Sequence, residues 1–154
     1  MASVFHADLD DPRHAAAVIE MIAQLAGGEF GRRAPMTEAE RTQLIPGLKR
    51  IAAKRVLLAS SSDRICGVAI CFIQFATFAG REMLKIQDLF VAAEYRRRGI
   101  GRQLVEGAIE CAREIGCAYV NIEVASSNPS AIGLYRTLGF VDWVTPTQFL
   151  ELKL

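Results

Sequence analysis

The chain has 154 residues, 51% of them hydrophobic and 23% charged, with a formal net charge of +1 at pH 7. That balance excludes wholesale disorder and a global field of the kind that steers nucleic acid, and the length suits a single domain, 1–154, with a real core. The apolar stretches fall far short of the roughly 20 residues that cross a bilayer, and Asp8, Asp10 and Asp11 interrupt any leader-like run. The expected setting is the cytoplasm, with no membrane or nucleic-acid partner.

In chain order, Ser3 to Ala7 reads as a short first strand. Asp10-Asp11-Pro12 opens a helix, with a capping aspartate and a proline near the first helical position. Val18, Ile19, Ile22 and Leu25 give it one apolar face, and Gly27-Gly28 ends it. Thr37-Glu38-Ala39-Glu40 is a capping box for a second helix through Leu44 and Leu48, in which Pro46 predicts a break or kink. Val56 to Ala59 is a buried strand, Ser60 to Asp63 a turn, and Ile65 to Ala76 a long apolar strand. Phe78 to Arg81 is a hairpin connection, followed by a strand from Met83 to Ala92. A helical stripe of Ile100, Leu104, Val105, Ala108, Ala112 and Ile115 ends at Gly116. Ala118 to Val124 is another strand. Asn128-Pro129 caps a helix bearing Ala131, Leu134, Tyr135 and Leu138, closed by Gly139, and Phe140 to Val144 and Gln148 to Leu152 fit two final strands. The order is that of a mixed α/β chain without repeats or linkers.

The remaining signals are mostly structural. Cys66, Cys71, Cys111 and Cys117 lack C-x-x-C spacing and sit in apolar patterns, which predicts buried thiols in a reducing compartment and no metal site. His6 and His14 have no partner pattern. Phe72, Phe75 and Phe78 read as core, and Trp143 as core or interface packing, or a wall of an acceptor pocket.

The most informative stretch is Asp88-Leu89-Phe90-Val91 followed by Tyr95-Arg96-Arg97-Arg98-Gly99-Ile100-Gly101-Arg102. It reads as a strand, a tight basic turn and a helix start. Amides at a helix N-terminus have no partner within the helix, and the helix dipole favours negative charge there. Arginines crowded at that end oppose the dipole unless an anion compensates them. The glycines allow close approach of the anion to the backbone. The arrangement suits a pyrophosphate.

With these residues in place, the chain resembles the GCN5-related N-acetyltransferases. The acetyl-CoA motif of that family, R/Q-x-x-G-x-G/A after a strand, stands here as Arg96-Arg97-Arg98-Gly99-Ile100-Gly101. A second motif, an asparagine followed by a helix with a tyrosine and a terminal Gly-Phe, stands as Asn128, Tyr135, Gly139 and Phe140. The match covers roughly residues 64–143. The resemblance implies an α/β (α+β) fold: a mixed, mostly antiparallel twisted sheet flanked by helices, with a central β-α-β-α-β unit. It also implies a homodimer. A narrower likeness, carried by Leu25-Ala26, Glu29-Phe30, Thr37-Glu38 and Gln87 to Val91, is to the diamine branch, which acetylates spermidine, spermine or thialysine. That branch places a glutamate before the strand aspartate, where this chain has Gln87, which is no base.

The implied reaction is acetyl transfer from acetyl-CoA to a primary amine of a small molecule by direct attack in a ternary complex. The implied cofactor contacts are Leu89, Phe90 and Val91 on the strand edge, Arg96 to Arg102 around the turn, and Asn128, Ser130 and Tyr135. The pantetheine arm could pair with that edge as an added strand, and the resemblance implies that the strand at Leu89 diverges from the one at Asn121 to Val124, leaving a cleft for the arm. An alkylammonium has a pKa near 10.4, so deprotonating it at pH 7 costs about 4–5 kcal/mol. Asp88, Glu123 and Glu29 are the candidate proton acceptors. Strict strand alternation lets only one of Gln87 and Asp88 face the cleft, and the resemblance puts Gln87 there, to orient water or the amine. Glu29 and Glu123 are the candidate acceptor contacts; as bare sequence they also read as a solvated charge after a helix and a paired strand charge. Tyr135 is the candidate donor to the leaving thiolate, although its spacing alone reads as core packing. Two other functions fit the same motifs: a catalytically silent acyl-CoA sensor, and acetylation of a protein amine.

Overall fold

The structure is a computed structural model that describes residues 2–154. Five strands, β1 (Ser3–His6), β2 (Lys54–Ser61), β3 (Arg64–Ala76), β4 (Arg81–Val91) and β5 (Val120–Ile122), lie side by side in that order. β1 to β4 pair antiparallel; β5 pairs parallel to β4. A parallel neighbour requires a crossover, and α3 (Ile100–Ile115) supplies it. Helices α1 (Pro12–Gly27) and α2 (Glu38–Arg50) precede β2, and α4 (Pro129–Thr137) follows β5.

Strand alternation sorts the apolar side chains onto two faces. Leu57 and Ala59 of β2 join Leu84 and Ile86 of β4 under the α3 stripe of Ile100, Leu104, Val105 and Ala108. Val56 and Leu58 point the other way, with Val68 and Ile70, against Val18 and Met21 of α1 and Ile45 and Leu48 of α2. Burying a side chain such as Leu104 contributes about 1.5–3 kcal/mol. α3 comes down hardest over Gly67 of β3, where an added Cβ would stand 2.9 Å from Leu104 Cδ1. That close approach fixes the start of α3 beside the end of β4.

Three expectations fail. α2 runs through Pro46 without a break; its neighbours Ile45 and Leu48 are buried and hold the helix to the sheet. Phe75 and Phe78 are 63% and 98% exposed, because the β3–β4 hairpin overhangs the helical layers, while Phe72 packs on the α1–α2 side. No strand follows β5 among the described residues, so the last β of the expected β-α-β-α-β unit is missing. β5 pairs with β4 over only three residues, and the alternating segments 140–144 and 148–152 have no edge to join. Val144 and Leu150 stand exposed in them. No described helix is long and apolar enough to cross a membrane.

Candidate active site

The site begins where β4 and β5 part. Their pairing covers Leu84 to Ile86 against Val120 to Ile122 and then stops. The rest of β4 borders a cleft of about 980 Å³, with residues of the α1–α2 loop, the α3 turn and α4 as its other walls. The Ala92 amide bonds Cys66 O on β3, so by strand alternation Val91 and Leu89 turn their own amides and carbonyls toward the cleft. Arg96 Nε donates to Val91 O at 3.0 Å; the Leu89 groups are free to pair with an arm laid along the edge.

Beyond β4 a short 3₁₀ turn, Ala93–Tyr95, leads to the basic bend. Arg97 and Gly99 both adopt left-handed backbone, φ 62° and 79°. Glycine adopts it freely; an arginine there is uncommon. The bend turns successive amides toward the mouth of α3. Gly99 is the N-cap and has no side chain to offer. Gln103 N is the first amide to bond back, to Gly99 O, so Ile100, Gly101 and Arg102 keep free N–H groups. Arg96 lies 5.6 Å over the Phe90 ring and Arg98 5.5 Å over Tyr95. Arg102 is held by Glu106 and by Thr137 Oγ1, each at 3.0 Å. Free amides, a left-handed bend and surplus guanidinium together fit a pyrophosphate.

Of the expected cofactor contacts, all but Arg98 border the cleft. Asn128 caps α4, its Oδ1 accepting from Ala131 N at 3.1 Å, and its residue also faces the cleft, as does Ser130. Tyr135 is 7% exposed. It combines the two roles left open by its spacing: its ring packs in the α3-side core, tilted on Phe140 at 5.8 Å, and it also borders the cleft. Burial pushes its hydroxyl up to about 12, so the proton stays on at neutral pH.

The other end of the cleft differs from expectation in one respect. Ile70 pairs with Asp88 but Cys71 with Ile86, leaving Gln87 as an extra residue, a β-bulge. The bulge breaks alternation: Leu84 and Ile86, then Leu89 and Val91, all pack toward α3. Gln87 and Asp88 consequently both border the cleft. Glu29 is exposed on the α1–α2 loop at the same end, beside Phe30 and Arg32. Glu123 is not free: Lys85 Nζ donates to its Oε1 at 2.7 Å. Sequence reasoning missed Phe30 and Arg32, whose place depends on how the α1–α2 loop closes, and Tyr95, which the 3₁₀ turn after β4 carries to the cleft. Trp143 is 62% exposed and borders a second cavity that shares Phe30, Glu123 and Tyr135 with the first. The histidines are structural: His14 Nδ1 accepts from Asp8 N at 3.1 Å, and His6 faces Cys111.

A sheet split beside an uncapped, arginine-fringed helix leaves a cleft open to an anionic ligand. Residues 19–140 match the Acetyltransferase (GNAT) family, and the chain belongs to that family; it is an N-acetyltransferase. Among its relatives is the thialysine N-epsilon-acetyltransferase of Caenorhabditis elegans, 29% identical over 133 residues, spanning 85% of this chain and 79% of that one. The streptothricin acetyltransferase of Streptomyces lavendulae is 36% identical over 89 residues, 58% of this chain and 46% of that one. A solved structure described as a transcriptional regulator from Bacillus halodurans C-125 has the same fold, with a TM-score of 0.81 at 22% identity over 99% of this chain and all of that one.

Proposed function

We propose that the chain transfers the acetyl group of acetyl-CoA to the primary amine of a small, diamine-like or lysine-like molecule, by direct attack in a ternary complex. The observation that carries the reading is the cleft itself. It has free amides and arginines at one end, and Glu29, Gln87, Asp88 and Glu123 at the other. Bound there, acetyl-CoA supplies a thioester whose carbonyl carbon the amine attacks.

In this reading Ile100, Gly101 and Arg102 hold the pyrophosphate through their amides, with Arg96 and Arg97 beside it. The β4 edge aligns the pantetheine arm, and the Leu89 N–H offers a hydrogen bond to the acetyl oxygen as negative charge builds on it. Glu29 draws the cationic acceptor in, and Gln87 orients it through its side-chain amide. The Tyr135 hydroxyl donates to the departing sulfur. A hydroxyl near 12 facing a thiol of ordinary pKa near 8.5 makes outright transfer cost about 5 kcal/mol. Tyr135 therefore yields its proton only as the amine nitrogen replaces it.

An amine panel with acetyl-CoA, read by thiol release and product mass, tests the reading; diamines and lysine analogues are expected to respond. Silence across the panel with intact CoA binding would leave an acyl-CoA sensor instead. Tyr135→Phe is expected to lower kcat about 100-fold while CoA affinity stays near wild type. Unchanged kcat would remove the tyrosine from the transfer step.

A further inference from the structure

Three carboxylates border the acceptor end of the cleft, and only one of them is both sheltered and unengaged. Glu123 is 65% exposed at its side chain and already bound to Lys85. Glu29 stands in solvent on its loop. Asp88 is half-buried on the bulged strand, and among the described residues no hydrogen bond or ion pair engages its side chain. A carboxylate withdrawn from water without a partner is costly unless a cation comes to it.

The surroundings supply none. Arg32, across the cleft, is locked on Glu40 by two hydrogen bonds, the Nη1–Oε1 contact being 2.7 Å. Lys85 belongs to Glu123. Arg96, Arg97 and Arg102 stand at the pyrophosphate end, and α1 lines the cleft with Ile22, Gln24, Leu25 and Ala26, none of them charged. Tyr135, its hydroxyl pushed up by burial, is a neutral phenol at neutral pH. Cys71 on β3 is pushed up to about 12, by burial first and then by Cys111 and Asp88, so it stays a thiol. Burial alone raises the Asp88 carboxyl above the ordinary carboxylate range, which brings it nearer to an amine in proton affinity.

We propose that Asp88, released into the cleft by the Gln87 bulge, is the group that pairs with the acceptor ammonium and takes its proton. This rests on the acetyltransferase reading above. The balance is as follows. The ammonium gives one proton to the Asp88 carboxylate, and the freed nitrogen pair forms the C–N bond as the C–S bond breaks. The nitrogen's second proton replaces the one that Tyr135 passes to sulfur, and Asp88 returns its proton to water. One ammonium and one thioester thus give one amide, one thiol and one released proton. Gln87, a non-ionising neighbour, leaves Asp88 without a second negative charge beside it.

The test uses an amine already shown to be acetylated by the wild-type enzyme, so that failure of the broader reading is seen first and separately. Asp88→Asn is expected to lower kcat/KM at pH 7 about 100-fold or more, with CoA affinity retained. It is also expected to abolish the acid limb of the pH–rate profile, the residual rate rising about tenfold per pH unit toward the amine pKa. Asp88→Glu is expected to keep a limb at a displaced pH, which covers the case in which the asparagine variant folds poorly. A readout independent of turnover follows from the burial. A carboxylate with a raised folded-state pKa weakens the fold increasingly as pH rises above its unfolded value, fully above its folded value, and not at all in acid below both. Asp88→Asn is therefore expected to raise Tm at neutral pH and to match wild type in acid. An acid limb that survives Asp88→Asn, or one that vanishes in Glu123→Gln instead, overturns the assignment.

Discussion

Helices α2 and α3 begin with the same difficulty, a set of amides with no partner inside the helix, and meet it in opposite ways. At α2 the Thr37 hydroxyl accepts from Glu40 N at 3.2 Å, and Glu40 Oε2 accepts from Thr37 N at 2.8 Å. Arg32 then grips the same carboxylate from the preceding loop. Donors and acceptors close on one another, and nothing is left for a ligand. At α3 the cap is a glycine in left-handed backbone, and no side chain returns to the amides. Asp11 and Asn128 cap α1 and α4 with their side chains as well. The difference teaches that the fold can satisfy a helix start locally and does not do so at α3, where the amides are held open by the bend at Arg97 and Gly99.

The most severe way to break this contrast is to fill the open end. Gly99→Asp plants a carboxylate where the pyrophosphate is proposed to sit. The left-handed position costs a residue with a Cβ about 1–2 kcal/mol, partly offset by the favourable interaction of an acid with a helix N-terminus. CoA affinity is expected to fall at least 100-fold, about 3 kcal/mol, in isothermal titration, while the fold persists by circular dichroism. Wild-type affinity in this variant would mean that the α3 amides do not hold the cofactor.

A gentler probe is Gly101→Ala. Its Cβ would lie 3.6 Å from Leu134 Cδ2 and 3.8 Å from Val91 Cγ2, ordinary contacts. Alanine also favours the helix over glycine by up to about 1 kcal/mol. Tm is expected to hold or rise slightly. CoA affinity is expected to drop about tenfold, about 1.4 kcal/mol, because the methyl group stands between backbone and phosphate. If both stay level, Gly101 serves packing and not approach.

The open helix start was readable because its chemistry is local. A strand, three arginines and two spaced glycines sit within one short segment, and Asn128-Pro129 announces α4 in the same way. The proposed acceptor end was not, because it depends on pairing between distant segments. Nothing in Gln87 or Asp88 marks a bulge; the bulge arises from the register of β4 on β3, and assuming strict alternation wrongly forces one of the two residues away from the cleft. The C-terminal strands fail for a related reason. Phe140 to Val144 and Gln148 to Leu152 have the right alternation, but a strand is defined by its neighbour, and β5 is too short to provide one. Likewise the Lys85–Glu123 pair joins residues whose strands meet only through the α3 crossover.

The closed end of the comparison gives the smallest effect and a pH signature. Glu40 is exposed, yet the Arg32 guanidinium first, and the Thr37 amide next, hold its carboxyl down at about 2 against an ordinary 4.5. A carboxylate whose pKa is lowered by folding stabilises the folded state fully above its unfolded value and loses that contribution as pH falls through its folded value. Glu40→Gln is therefore expected to lower Tm modestly at pH 7. The gap should narrow as pH falls below about 4.5 and close near 2, where Glu40 itself is protonated. High salt should shrink the gap as well, since the pair faces solvent. CoA affinity should not move, because α2 offers the cofactor nothing. A Tm gap equal at every pH would assign the contribution of Glu40 to the shape of the capping box and not to its charge. A change in CoA affinity would show that the two helix starts are coupled across the cleft through the Arg32 loop.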